Sequence, residues 1–186
     1  MLRIPNLEEI HRKLLEVPSL IDGYARRDAA FLDDTLAWFS SVERILINNQ
    51  SWVAAELSSM RGTIISARRG HHDEAPEALR RTSRRRVMEA TAERMLRKAL
   101  ETVPKRFERD VAMIGRAEDS ARELVIVARQ LGLIAHEQGT TGGMAADRSL
   151  WRVLAEHEHT AKYTVYMRSV VGLSDSILLL DRVITR

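Results

Sequence analysis

From Met88 to Leu131 the apolar residues keep a single helical phase: Met88, Ala92, Met95, Ala99 and Val103, then Phe107, Val111, Ile114, Ala121, Val125, Ala128 and Leu131. Recurrence every three or four residues lines one face of an α-helix. A run of that length can be buried only against other long helices, so this feature points to an all-α helical bundle. Pro104 stands inside the run. Proline lacks the N–H that its turn requires, and its ring crowds the carbonyl four residues back. The expected central rod is therefore kinked at Pro104, or broken there with Pro104 opening a new helix.

The pattern repeats upstream. Ile21, Tyr24, Phe31, Trp38, Val42 and Ile45 form one line flanked by Leu32, Leu36, Phe39 and Leu46, which predicts a core-facing helix from Ser19 to Leu46. Asp28 and Thr35 fall on its central line, where a polar side chain needs a partner or a route to solvent. Ahead of it, Asn6 with Glu9 fits a capping box for a short helix that ends near Val17, because Pro18 cannot continue it. Asn48-Asn49 predicts a break, and Ser51 caps a third helix running to about Ala67. Residues 68–82, punctuated by Gly70 and Pro76, read as a flexible loop, and the glycine-rich residues 139–144 as a flexible connection. A last long helix is expected from Ala145 to Asp147 onward, with Leu150, Leu154, His157, Ala161 and Val165 on one face. Ser174 then caps a short terminal helix. No segment alternates apolar and polar residues over strand length, and no repeat recurs. The expectation is a single domain over residues 1–186, an antiparallel bundle of about five helices, long enough to bury a sizeable core.

Composition narrows the chemistry. The chain has no Cys, which removes disulfides, thiolate metal ligands and Cys nucleophiles. Met1 to Asn6 carries no apolar signal core and no stretch is apolar enough to span a bilayer, so the expectation is a cytoplasmic protein with no membrane partner. Long apolar stripes leave surface that one copy does not cover, so a homo-oligomer is expected.

Charge is unevenly spread. From Arg61 to Arg109 there are 14 Lys and Arg against 7 Asp and Glu, whereas the rest of the chain holds 15 against 19. The candidate site is the basic segment Arg80, Arg81, Arg84, Arg85, Arg86, Arg94, Arg97, Lys98, Lys105, Arg106 and Arg109. Guanidinium groups suit bidentate contacts to phosphate or carboxylate, so the expected partner is nucleic acid or an acidic protein. Glu93 to Arg97 and Glu101 to Lys105 are four-residue pairs that consume part of that charge. No aromatic residue lies between Trp52 and Phe107, so the segment itself has no stacking platform for single-stranded bases.

Other constellations are weaker. Glu156 and His159, like Glu8 and His11, are three apart, the spacing of di-iron bundles, but the inward Glu partners on two further helices are missing. A buried, hydrogen-bonded His157 is the simpler reading, and no metal or cofactor is expected. His71-His72-Asp73-Glu74 lies in the loop. Gly139-Thr-Thr-Gly-Gly143 lacks the Lys-Ser/Thr and the preceding strand of a phosphate-binding loop. Asp33-Asp34 lacks the third acidic position of a diphosphate-binding helix, where Ala37 stands. The expectation is a non-enzymatic interaction or scaffold protein. The alternatives are a sensor or enzyme with a small-molecule or metal site around His157, His159, Tyr163 and Asp28, and a subunit of a hetero-complex.

Overall fold

The computed structural model describes residues 2–68, 83–134 and 143–185. Among them there is no strand, and the helices are α1 (Ile4–Ala25), α2 (Phe31–Asn48), α3 (Val53–Arg68), α4 (Arg84–Gln130), α5 (Gly143–Glu156), α6 (Ala161–Val171) and α7 (Leu173–Ile184). The all-α expectation holds, but the described residues form seven helices rather than about five. The expected loop lies outside the described residues beyond Arg68, as do 139–142 of the expected connection; Gly143 and Met144 are helical.

Two compact units divide the chain, residues Ile4–Phe107 with Leu2, and residues Glu108–Arg186 with Arg3. In the larger unit α1 neighbours α2 and α2 neighbours α3. Its core joins Ile10, Leu14 and Val17 of α1, Phe31, Trp38, Phe39 and Leu46 of α2, Leu57 and Ile64 of α3, and Ala92, Leu96, Val103 and Phe107 of α4. In the smaller unit α5, α6 and α7 are mutual neighbours, and Leu154, Met167 and Leu180 are fully buried there.

The helix boundaries correct several expectations. Neither proline ends a helix: α1 runs through Pro18 and α4 is one element of 47 residues through Pro104. Both prolines are exposed, while Val17 and Val103 beside them are buried. On a solvent-facing side water can take the carbonyl that proline leaves without a partner, and the buried neighbours hold the helix in place. The Ser19 to Leu46 helix is instead interrupted at residues 26–30. There Arg27 takes a left-handed φ of 58° and the Asp28 N–H donates to the Gly23 carbonyl at 2.9 Å, a cap that usually uses glycine. Asp28 leaves the apolar line altogether, its carboxylate accepting the Ala30 N–H at 3.0 Å. Asn6 lies inside α1, and its side chain donates to that of Asn49 instead of capping a helix start.

The expected last long helix is likewise split. Glu156 closes α5, and the Thr160 hydroxyl donates to the Leu154 carbonyl at 2.6 Å, taking an acceptor that a continuing helix would use. Gly172, with φ 79° and ψ 165°, then separates α6 from α7 and stands where Ser174 was expected to cap.

Candidate functional site

The basic segment is built on the first half of α4. Its buried face carries Val87, Met88, Thr91, Ala92, Met95, Leu96, Ala99, Val103 and Phe107, so the charged residues between them are left to the flanks and the solvent side. Arg80 and Arg81 lie outside the described residues. Arg84, Arg85, Arg86, Arg97, Lys98, Lys105, Arg106 and Arg109 are exposed, and Arg94 is half-buried. At 100° per residue, Arg94, Lys98 and Lys105 fall within about 40° of one another, whereas Arg86 and Arg97 lie roughly 100° from the middle of that stripe. The segment therefore presents more than one face, and Arg109 falls past the boundary between the units.

Carboxylates engage some of these cations. The Arg85 Nε donates to Glu89 at 2.7 Å, and this hydrogen bond, with the Glu89 charge second, raises the Arg85 pKa above its ordinary value. Arg97 pairs with Glu93, as the spacing predicts. The Arg106 Nη2 and Nε donate to Glu56 of α3 at 2.6 and 3.3 Å, and its guanidinium lies 4.8 Å from the centre of the exposed Trp52 ring. This cluster ties α3 to α4. Among the described residues Arg84, Arg86, Lys98, Lys105 and Arg109 are drawn to no carboxylate, and the expected Glu101 to Lys105 bridge is not formed.

Grooves lie beside these side chains and in the smaller unit. One of about 620 Å³ between α3 and α4 is lined by Ser59, Thr63, Lys98, Thr102 and Arg106. A second, of 630 Å³, brings Tyr24 and Arg27 from the end of α1 beside Ser83, Arg85 and Arg86 at the start of α4. A third, of 450 Å³ in the smaller unit, holds Gln130, Glu158, His159, Lys162 and Tyr163. Sequence reasoning missed Arg27, Tyr24 and Trp52 as members of the basic surface, because the fold brings them there from distant positions. The only local signal for Arg27 was Asp28, a turn former placed where an uninterrupted helix was expected.

The histidine region departs from its reading. His157 sits in the turn between α5 and α6, is partly exposed, and its Nδ1 accepts the His159 backbone N–H at 3.3 Å. Helix spacing does not apply across that turn, so Glu156 and His159 do not share a helical face. Asp28 belongs to the larger unit, at its α1–α2 turn, and supplies no residue to the His159 groove. No group of three metal-capable side chains gathers among the described residues.

One further carboxyl stands out in the smaller unit. Asp147 is buried, and its Oδ1 has no hydrogen-bond partner. Burial raises its pKa above the ordinary carboxylate value, and the Asp181 charge adds to the rise.

Comparison of the chain with protein-family profiles gives no match, and comparison with curated proteins and with solved structures gives no significant one. Among the described residues no helix is long and apolar enough to cross a membrane.

Proposed function

We propose that this chain is a non-enzymatic interaction module, cytoplasmic and homo-oligomeric, whose Arg-rich segment docks nucleic acid or an acidic protein partner. The observation that carries the reading is the set of exposed cations on α4, Arg84, Arg86, Lys98 and Lys105, that no carboxylate engages among the described residues. A helix anchored by a buried apolar face holds such charges at fixed spacing, which suits a repeating polyanion. Exposed Leu15, Ile47, Ile65 and Leu100 of the same unit support a further apolar contact, between copies or with a different subunit.

Fluorescence anisotropy with labelled single-stranded and duplex oligonucleotides at two salt concentrations tests it. Affinity should fall about tenfold or more between low and physiological salt. Substituting Lys98→Glu together with Lys105→Glu should weaken binding to every sequence alike. Absence of binding to nucleic acid at low salt removes that partner and leaves the acidic protein.

The groove around His159 supports a second reading, a small-molecule or metal sensor. Elemental analysis of the purified protein, with and without His159→Ala, separates it from the first. A metal-free preparation whose stability is unchanged by the substitution removes the metal form of this reading.

A further inference from the structure

The end of α1 does something that an ordinary helix terminus does not require. Arg27 occupies a left-handed position, φ 58°, that glycine fills at lower cost. Its side chain lines the 630 Å³ groove together with Tyr24, Ser83, Arg85, Arg86 and Glu89. Arg85 is fixed in this wall: its Nε donates to Glu89 at 2.7 Å and its Nη2 to the Ala29 carbonyl at 2.9 Å, bracing α4 against the α1–α2 turn. Arg27 and Arg86 engage no carboxylate among the described residues. Three arginines and one glutamate thus line one cavity, and even with the Asp33 charge that also acts on Arg85 the groove stays positive.

We infer that this groove binds a phosphate monoester, the dianionic group that ends a nucleotide. A phosphate monoester carries a charge of about −1.5 to −2 at neutral pH and three acceptor oxygens, which complements the positive groove and the forked donors of Arg27 and Arg86. A lone carboxylate or an internal phosphodiester offers these donors only two charged acceptor oxygens, against the three of a monoester. The volume lies in the range of small-ligand sites, and the half-buried Tyr24 at its wall gives an attached base or sugar an apolar flank. Arg85 and Arg86 belong also to the polyanion-docking segment, and Arg27, which lies outside it, separates this inference from that reading.

Isothermal titration calorimetry of the full chain at low salt tests it with inorganic phosphate, adenosine 5′-monophosphate, adenosine and a phosphoserine peptide as probes. The phosphate-bearing probes should bind and adenosine should not. Arg27→Gly should weaken that binding about tenfold or more while the thermal midpoint holds or rises, since glycine relieves the left-handed conformation. Arg86→Ala should weaken it similarly, and Arg44→Ala, on α2 and outside the groove, should leave it unchanged. Binding of the monophosphate tighter than that of inorganic phosphate supports the site and names a nucleotide as its ligand; tightest binding of the peptide supports it and names a phosphorylated protein. Failure of every phosphate-bearing probe to bind, equal binding of adenosine, or full affinity in both Arg27→Gly and Arg86→Ala overturns it.

Discussion

The two units bury different kinds of atoms. In the larger one Phe31, Trp38, Phe39, Leu46, Leu57, Ile64 and Leu96 close a largely hydrocarbon interior, and the buried polar groups among its described residues are Thr35, Glu43 and Thr91. In the smaller one Leu124, Leu154, Met167 and Leu180 share the interior with Ser120, Asp147, Thr160, Thr164, Asp175 and Ser176. Helix length follows the same division: α1 and α2 have 22 and 18 residues, α6 and α7 have 11 and 12. Helices shorter than about 12 residues are marginal by themselves and depend on tertiary contacts and end groups. Neither α6 nor α7 has a side-chain cap at its start, and hydroxyls bond to carbonyls beside the junctions instead. Thr160, Thr164 and Ser176 donate to the carbonyls of Leu154, Ala161 and Gly172 at 2.6, 2.9 and 2.7 Å. The larger unit should therefore be sensitive to lost volume, and the smaller to lost hydrogen bonds and altered junctions.

The largest expected effect tests the hydrocarbon side of this contrast. Phe39 is fully buried, so Phe39→Ala should cost the larger unit about 3–5 kcal/mol in denaturant unfolding; a loss below about 1 kcal/mol would mean that its core is not the main source of stability. Next comes the α6–α7 junction. The φ and ψ of Gly172 lie in a region open essentially to glycine alone, so Gly172→Ala should destabilise the smaller unit by roughly 1–3 kcal/mol, read as faster amide exchange in α6 and α7.

A matched pair of smaller substitutions should differ in sign. Thr160→Val removes a bonded hydroxyl and leaves the Leu154 carbonyl without it, a loss of about 1 kcal/mol. Thr35→Val removes a buried hydroxyl that has no partner, and should be neutral or stabilising by up to about 1 kcal/mol. The same sign for both would erase the distinction between the units. The smallest effect is pH-dependent. Because the Asp147 pKa is raised in the folded protein, its protonated form is favoured there. Its contribution to stability is present at pH below the ordinary carboxylate value and is lost as pH rises through the folded pKa. Thermal melts across pH should show Asp147→Asn above the parent at neutral pH, with the gap closing on acidification.

Packing faces were legible in the sequence and helix ends were not. Trp38, Val42 and Ile45, and likewise Met88, Met95, Val103 and Phe107, are buried as their spacing predicts, whereas Val111, Leu131 and Val165 on the same predicted lines are exposed, because phase gives a face and not what covers it. The break at residues 26–30 was hidden because Arg27 does what glycine normally announces. The break at 157–160 was hidden because Thr160 competes for a backbone carbonyl without interrupting the apolar phase. Pro18 misled in the opposite direction, and of the kink or break expected at Pro104 the break does not occur, since both prolines stand on exposed sides where a helix tolerates them. For the site, the exposure of Arg84, Arg86, Lys98 and Lys105 was readable from helical phase. The meeting of Arg27 with Arg85 and Arg86, and of Trp52 with Arg106, arises from tertiary packing, which no spacing within one segment encodes.

The placement of the three tryptophans gives each unit a separate optical reporter. Trp151 is the only indole between residues 108 and 186 and is buried, so in a Trp38→Phe, Trp52→Phe double variant its emission follows the smaller unit alone. Trp38, whose Nε1 donates to the Lys13 carbonyl at 2.7 Å, reports on the seam between α1 and α2, and Trp52 on the solvent-facing stack with Arg106. Unfolding of the two units can thus be followed by wavelength and intensity without attaching any dye.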